Sequence, residues 1–256
     1  ESCCPHGIEC EVIFPSDEGV PLPTRDQLSS YDGICWTGCS LSLCDDSEAI
    51  RQQVKIARDT FELGIPSFGS CWAAQIAIVA AGGKVERNPN GREMGIARKI
   101  ALNAEGLKHP MFEGKTAVFD AFSSHDDEIV ELPPGAIALG GNEWTRVQAV
   151  SIRYAKGEFW GVQYHPEYNL HELSRLTFCR IDKLVGQGFF ADRESALHYV
   201  DQLEQLHRQP DRFDLAWQLG IDADVADSER RNVEASNWVK QQLLPYAQSK
   251  SENPQE

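Results

Sequence analysis

Gly64-Ile65-Pro66-Ser67-Phe68-Gly69-Ser70-Cys71-Trp72-Ala73-Ala74-Gln75 is the stretch around which the chain is organised. A short apolar run ends at a glycine, a thiol follows two residues later, and a run of small residues to Ala81 has helical character. The pattern predicts a strand, a sharp turn carrying Cys71, and a helix beginning at Trp72. Such a turn lifts a nucleophile above the end of a sheet and points a helix N-terminus at it. Further along, Gly161-Val162-Gln163-Tyr164-His165-Pro166-Glu167 supplies a candidate base and an acid to orient it.

On either side of residues 64–75, short apolar strands alternate with helices. Ile8–Phe14 alternates like a half-buried strand, and 32–36 reads as a buried one. Ala49–Leu63 has helical spacing behind the capping residues at 45–48. Strands are expected at 65–71, 84–86, 96–102, 116–122, 136–139, 148–154 and 159–164. Ser123-Ser124-His125-Asp126-Asp127 reads as a polar loop. From Leu170 the pattern turns helical, with helices at 170–185, 193–206, 213–219 and 228–244 and a frayed end. The alternation predicts an α/β three-layer sandwich with a mostly parallel central sheet. Its domain would span 1–190, with a helical extension over 191–256 that packs on the sheet or offers a docking surface. In such sheets sites form at the carboxyl ends of strands, so the loops at 37–42, 69–72, 123–127 and 165–167 are expected to meet at one edge.

The 256 residues carry a net charge of −15 and are 41% hydrophobic, which provides for a sizeable core and argues against nucleic acid or an anionic membrane as partner. No apolar run approaches the ~18 residues of a membrane span. Eight scattered cysteines without a secreted framework point to reduced thiols and a cytoplasmic setting. Cys3, Cys4, His6 and Cys10 match no standard zinc spacing, so no metal and no cofactor is expected, and a loosely ordered terminus is the plainer reading.

Cys71, His165 and Glu167 are the residue types of a thiol nucleophile, its base and the base's orienter. On extended backbone, the two-residue spacing of His165 and Glu167 places both on one face, and Pro166 between them bars a helix. Each has an ordinary role when taken singly: a cysteine is often a small core residue, a histidine a hydrogen-bonded surface group, a glutamate a solvated one. The tetrahedral intermediate would also need backbone N–H donors, for which Trp72 and the loop after Trp36 are placed.

At this point the sequence resembles the class I glutamine amidotransferases, most closely the glutaminase domain of GMP synthetase. The family's G-x-C-x-G-x-Q stands as Gly69 to Gln75, its H-P-E as His165-Pro166-Glu167, and its S-H-x-D as Ser124-His125-Asp126-Asp127. A weaker counterpart of S-G-G-P is Thr37-Gly38-Cys39-Ser40. The resemblance covers roughly residues 30–180. It implies Cys71 as nucleophile, His165 as base and acid, and Glu167 as its orienter. It further implies backbone N–H of Cys39 and Trp72 as the oxyanion hole, and Gln75, Ser124 and His125 as substrate contacts. The implied substrate is glutamine or a related γ-glutamyl amide, hydrolysed through a γ-glutamyl thioester. Ammonia would pass to a separate synthetase subunit or to solvent, since the chain has no G-x-x-x-x-G-K-[ST]. Self-association is allowed for.

The departures from the family pattern are Ala73 for its second glycine and Cys39-Ser40 in the oxyanion loop. Ala73 gives up tolerance of positive φ. The loop change motivates a second reading, a γ-glutamyl hydrolase or peptidase, and a third reading is a silent regulatory module. Only about thirty residues precede the oxyanion loop, so the first strand-helix unit is expected to be incomplete.

Overall fold

A computed structural model describes residues 7–17 and 19–252. The elements run α1 (Arg25–Ser30), β1 (Ile34–Trp36), α2 (Glu48–Leu63), β2 (Ser67–Ser70), α3 (Trp72–Ala80), β3 (Lys84–Arg87) and β4 (Glu93–Leu102). There follow β5 (Val118–His125), β6 (Asp127–Glu131), β7 (Ala136–Gly141), β8 (Ala149–Tyr154) and β9 (Gly157–Val162). The helices α4 (Leu170–Cys179), α5 (Ile181–Gly186), α6 (Arg193–Arg208) and α7 (Phe213–Leu219) come next. Then come α8 (Ala223–Ala226), α9 (Ser228–Arg231), α10 (Val233–Trp238) and α11 (Leu244–Glu252).

Seven strands form one sheet in the order β1-β2-β9-β8-β7-β4-β5, and β3 pairs with β6 in a separate ribbon. The parallel expectation holds for β1-β2 and β2-β9. The sheet is mixed beyond them, because β9-β8, β8-β7, β7-β4 and β4-β5 are all antiparallel. The turn at 155–156 shows why: two residues return the chain from β8 to β9, whereas a parallel neighbour needs a crossover of a dozen or more.

Alternating residues feed two faces. Phe68, Trp160 and Val162 turn to a core shared with Phe119, Tyr164 and Trp238. Phe159, Val150 and Ile152 turn to the core under α2 and α3, with Phe61, Ala73, Ala74 and Ile78. The small residues of α3 have a specific use. A Cβ at Gly69 would lie 2.4 Å from the Ala73 Cβ and 2.8 Å from the Trp36 carbonyl oxygen, so helix and strand meet at glycine-to-alanine distance. A third cluster joins Phe122 of β5 to Leu173, Leu203 and Leu215 of α4, α6 and α7.

Four expectations are corrected. Ile8–Phe14 forms no strand: the segment has no ladder partner, and Val12 and Phe14 stand exposed. Residues 123–127 are not a loop, because β5 runs through His125 and β6 begins at Asp127. Their polarity comes from burial inside a polar site rather than from solvent. The helix expected at 228–244 is broken at Asn232 and passes through a π-turn over Val239–Leu243. The chain end is helical to Glu252 rather than frayed through its last dozen residues. Lys250 ties it down by donating to the carbonyls of Ser29, Ser30 and Tyr31 at 2.9, 2.9 and 3.0 Å. The helices after Leu206 return to the sheet, where Trp238 packs 6.0 Å from Phe68.

Among the described residues no helix is long and apolar enough to cross a membrane. Cys10, Cys39, Cys44, Cys71 and Cys179 are free thiols, and no described cluster of His, Cys, Asp or Glu is suited to a metal. Cys3, Cys4 and His6 of the cysteine-rich start lie outside the described residues.

Candidate active site

Cys71 caps the N-terminus of α3 with φ 51° and ψ −105°. This is a strained conformation for a non-glycine residue, costing on the order of 1–3 kcal/mol. The surroundings enforce it: β2 is held between β1 and β9, and the Cys71 N–H donates to the Val162 carbonyl at 2.7 Å. The side chain is thereby turned off the end of the sheet. Ala73 lies within α3 and does not take positive φ, so the alanine in place of the family's glycine asks nothing unusual of the backbone.

His165 follows β9 and is 1% exposed. Its backbone N–H donates to the Phe122 carbonyl at 2.8 Å. Its Nδ1 donates to Glu167 Oε1 at 2.7 Å, and the Ser70 hydroxyl donates to the same oxygen at 2.8 Å. The elbow and the histidine segment therefore share one carboxylate. Tyr168 stacks on the imidazole, with ring centres 4.0 Å apart and planes 6° from parallel. Gly38 covers the ring edge, where a Cβ would come within 2.8 Å of His165 Cε1.

The electrostatics favour a charged imidazole. Burial opposes the charge, but the Glu167 carboxylate and the hydrogen-bonded Cys71 sulfur outweigh it and hold His165 at about 10. Glu167 moves the other way: burial raises it, and His165 and Ser70 bring it below the ordinary carboxylate value. Protonated His165 holds a transferable proton beside the Cys71 sulfur.

A cavity of about 260 Å³ opens beside Cys71, lined by Cys39 to Ser42, Trp72, Gln75, Arg92, Ser124 to Asp127 and Arg180 among others. Three of the loops expected at one edge thus border it, and the fourth supplies His165 behind Cys71. Cys39 and Trp72, the expected oxyanion donors, both face this cavity. Their loops are linked, since Trp72 Nε1 donates to Gln53 Oε1 at 2.8 Å, Gln53 Nε2 to Ser16 Oγ at 3.2 Å, and Ser16 Oγ meets Cys39 Sγ at 3.3 Å.

The expected substrate contacts are partly committed to the wall itself. Gln75 Nε2 donates to the Asp127 carbonyl at 3.0 Å and to Gln163 Oε1 at 3.1 Å. His125 directs Nδ1 at the Asp127 carbonyl and Nε2 at Glu93 Oε2, each at 2.9 Å. Glu93 is buried but satisfied, accepting also from Gln148 and Asn142 at 2.7 Å each. Ser124 lines the cavity, and its carbonyl oxygen is 3.9 Å from Cys71 Sγ.

Sequence reasoning missed Arg92, Arg180 and Tyr168. No local pattern marks the two arginines, because they reach Ser124 from the residue before β4 and from the α4–α5 junction. Tyr168 lay only three residues beyond His165, but nothing in the spacing announced a stacked ring.

The family model for glutamine amidotransferase class-I matches residues 13–180, which include the elbow, the histidine and the glutamate. The chain belongs to this family. A γ-glutamyl-L-1-hydroxyisopropylamide hydrolase from a Pseudomonas species is 33% identical over 248 residues, covering 95% of this chain and 82% of the relative. A γ-glutamyl peptidase 3 from Arabidopsis thaliana is 27% identical over 200 residues, covering 77% and 75%. A GMP synthase from Thermosipho africanus is 39% identical over 106 residues, 41% of this chain but only 19% of that protein. Among solved structures, a glutamine amidotransferase from Methylobacillus flagellatus superposes with a TM-score of 0.62 at 21% identity, covering 86% of this chain and 80% of its own. The class I amidotransferase fold is thus shared with proteins of low sequence identity, and the cysteine-hydrolase class follows from the family.

Proposed function

We propose that the protein hydrolyses a γ-glutamyl amide through a covalent thioester on Cys71. The observation that carries this reading is the alignment of Cys71, His165 and Glu167 beside a small charged cavity. The Cys71 sulfur attacks the γ-carbonyl carbon, and the electron pair of the C=O bond moves to oxygen. Backbone N–H groups of Trp72 and Cys39 hold that oxyanion, and the N-terminus of α3 adds its field. His165 gives its proton to the departing nitrogen, the C–N bond breaks, and the amine leaves. Water then gives a proton to His165 and attacks the thioester carbon. Collapse returns the sulfur and releases glutamate. Glu167 keeps the imidazole oriented through both steps.

The cavity is below the roughly 300–1,000 Å³ of drug-sized sites, which matches an amino-acid amide rather than a long peptide. Asp126 and Asp127 supply carboxylates for an α-ammonium, with Ser124 and His125 on the same wall and Gln75 supporting it. A substituted amide is the preferred substrate in this reading, as in the two γ-glutamyl relatives that this chain covers over three quarters or more of their length. The GMP synthase relatives favour a second reading, in which glutamine is the substrate and a separate synthetase subunit receives the ammonia.

A panel of glutamine, a γ-glutamyl alkylamide and a γ-glutamyl dipeptide, scored by glutamate release, tests the proposal. Higher kcat/KM on a substituted amide, abolished in Cys71→Ala, is the expected outcome. Strong preference for glutamine would select the second reading, and glutamate release undiminished in Cys71→Ala would overturn both.

A further inference from the structure

Four cations line the cavity of a chain whose net charge is −15: Arg87, Arg92, Arg180 and Lys183. Three have carboxylate partners. Arg87 pairs with Asp127 at 3.0 Å, Lys183 with Asp126 at 3.4 Å, and Arg92 with Asp126. Arg180 forms no ion pair among the described residues. Its NH1 donates to the Ser124 hydroxyl at 2.9 Å, and Arg92 NH1 donates to the same oxygen at 3.2 Å. Two guanidinium groups thus converge on one neutral hydroxyl. The Arg92 side chain is 6% accessible, and its Nε has no hydrogen-bond partner. Burial pulls the Arg92 guanidinium down, Asp126 opposes this, and Arg180 adds repulsion that an anion would relieve. The seat is beside the nucleophile, since the Ser124 carbonyl oxygen is 3.9 Å from Cys71 Sγ.

We infer that Arg180, with Arg92 as its second arm, binds the α-carboxylate of the γ-glutamyl substrate and makes that group a condition of turnover. The inference rests on the proposed γ-glutamyl reading. A planar carboxylate fits the paired guanidinium donors, and Ser124 Oγ fixes their separation. Arg180 lies at the N-terminus of α5, so the helices that follow the histidine segment contribute to specificity as well as packing.

The test compares L-γ-glutamyl-p-nitroanilide with its α-carboxamide analogue. Wild type should favour the free acid by roughly 30-fold or more in kcat/KM, in line with loss of one partner from a buried charge pair. Arg180→Gln should remove most of that preference by raising KM for the acid alone, and Arg180→Lys should retain part of it. Thermal unfolding of both variants checks that they fold. Wild-type discrimination persisting in Arg180→Gln, or equal turnover of both compounds by wild type, would overturn the inference. Failure of wild type on γ-glutamyl amides of every kind would instead overturn the proposed function.

His165 lies between two positions held by helices outside the matched family region. Tyr164 donates its hydroxyl to Glu234, a fully buried carboxylate that also pairs with buried Lys115 at 3.0 Å. The Pro166 carbonyl accepts from Arg231 Nε at 3.2 Å, while Arg231 NH1 donates to the Val225 carbonyl at 2.7 Å. The Arg231 guanidinium also lies 5.8 Å from the ring centre of Phe122, whose carbonyl accepts the His165 N–H.

We propose that α9 and α10 act as a brace that positions His165 for proton transfer, with Arg231 and Tyr164 as positioning residues. Tyr164→Phe and Arg231→Lys should lower kcat about tenfold with KM nearly unchanged, as loss of alignment rather than of binding predicts. The basic limb of the pH–rate profile should move with it, because the Glu167 contact that holds the His165 charge loosens. If both variants unfold at lower temperature yet keep wild-type kcat and pH profile per folded molecule, the helices are structural only and the brace is wrong.

Discussion

The elbow at 67–73 and the histidine segment at 164–168 reach the same point by opposite means. The elbow is a backbone device, fixed by neighbouring parallel strands, a short N–H···O bond at Cys71 and the tight approach of Gly69 to Ala73. The histidine segment is a side-chain device, held by its own Glu167 and Tyr168 and by Gly38, Ser70, Arg231 and Glu234 from three other stretches. A backbone device is sensitive to volume. A side-chain device is sensitive to charge and hydrogen bonding, one partner at a time.

The sharpest way to break the first is Gly69→Ala. The new methyl would meet the Ala73 Cβ at 2.4 Å and the Trp36 carbonyl at 2.8 Å, and neither can swing aside. Overpacking of this kind costs about 1–3 kcal/mol, and the displaced elbow should lose at least about 100-fold in kcat. Thermal unfolding and steady-state kinetics check both. A variant with wild-type kcat would show that the elbow tolerates movement and that the contrast between the two regions is false.

Glu167→Gln probes the second region through charge. His165 sits at about 10 against an ordinary 6.5, so its contribution to stability is fully present below about 6.5 and lost as pH rises through about 10. Removing the carboxylate lowers the folded value. The basic limb of kcat/KM should therefore move to lower pH, and kcat should fall about 10- to 100-fold as the imidazole loses its carboxylate partner. Stability should also decline less between about pH 6.5 and about pH 10 than in wild type. An unmoved limb would mean that burial and Cys71 alone set the state of His165.

The same contrast explains what the sequence disclosed. Gly69, Cys71 and the alanines of α3 form a local pattern, so the elbow could be read directly from adjacent residues. His165-Pro166-Glu167 was legible for the same reason, as was the meeting of the cavity loops at one edge. Arg92, Arg180, Arg231 and Glu234 were not legible, since each acts across tens of residues and has no periodicity of its own. The polar run at 123–127 misled because buried polar residues of a site and solvated residues of a loop have the same composition. The sheet was read as mostly parallel because helix-strand alternation in the first half was extended to strands joined by short turns.

Ser70→Ala is the mildest probe and the one that joins the two regions. It removes the hydroxyl that donates to Glu167 at 2.8 Å but leaves the 2.7 Å contact from His165 Nδ1. Glu167 keeps 34% of its side chain accessible, so water can replace the lost donor. The loss should be at the low end for a hydrogen bond to a charged group, a few-fold in kcat with KM and fold intact. The His165 basic limb should move slightly upward, because a carboxylate with one fewer donor keeps more of its charge for the imidazole. A large loss would instead mean that Ser70 fixes where the carboxylate sits, and that the elbow positions His165 as well as Cys71.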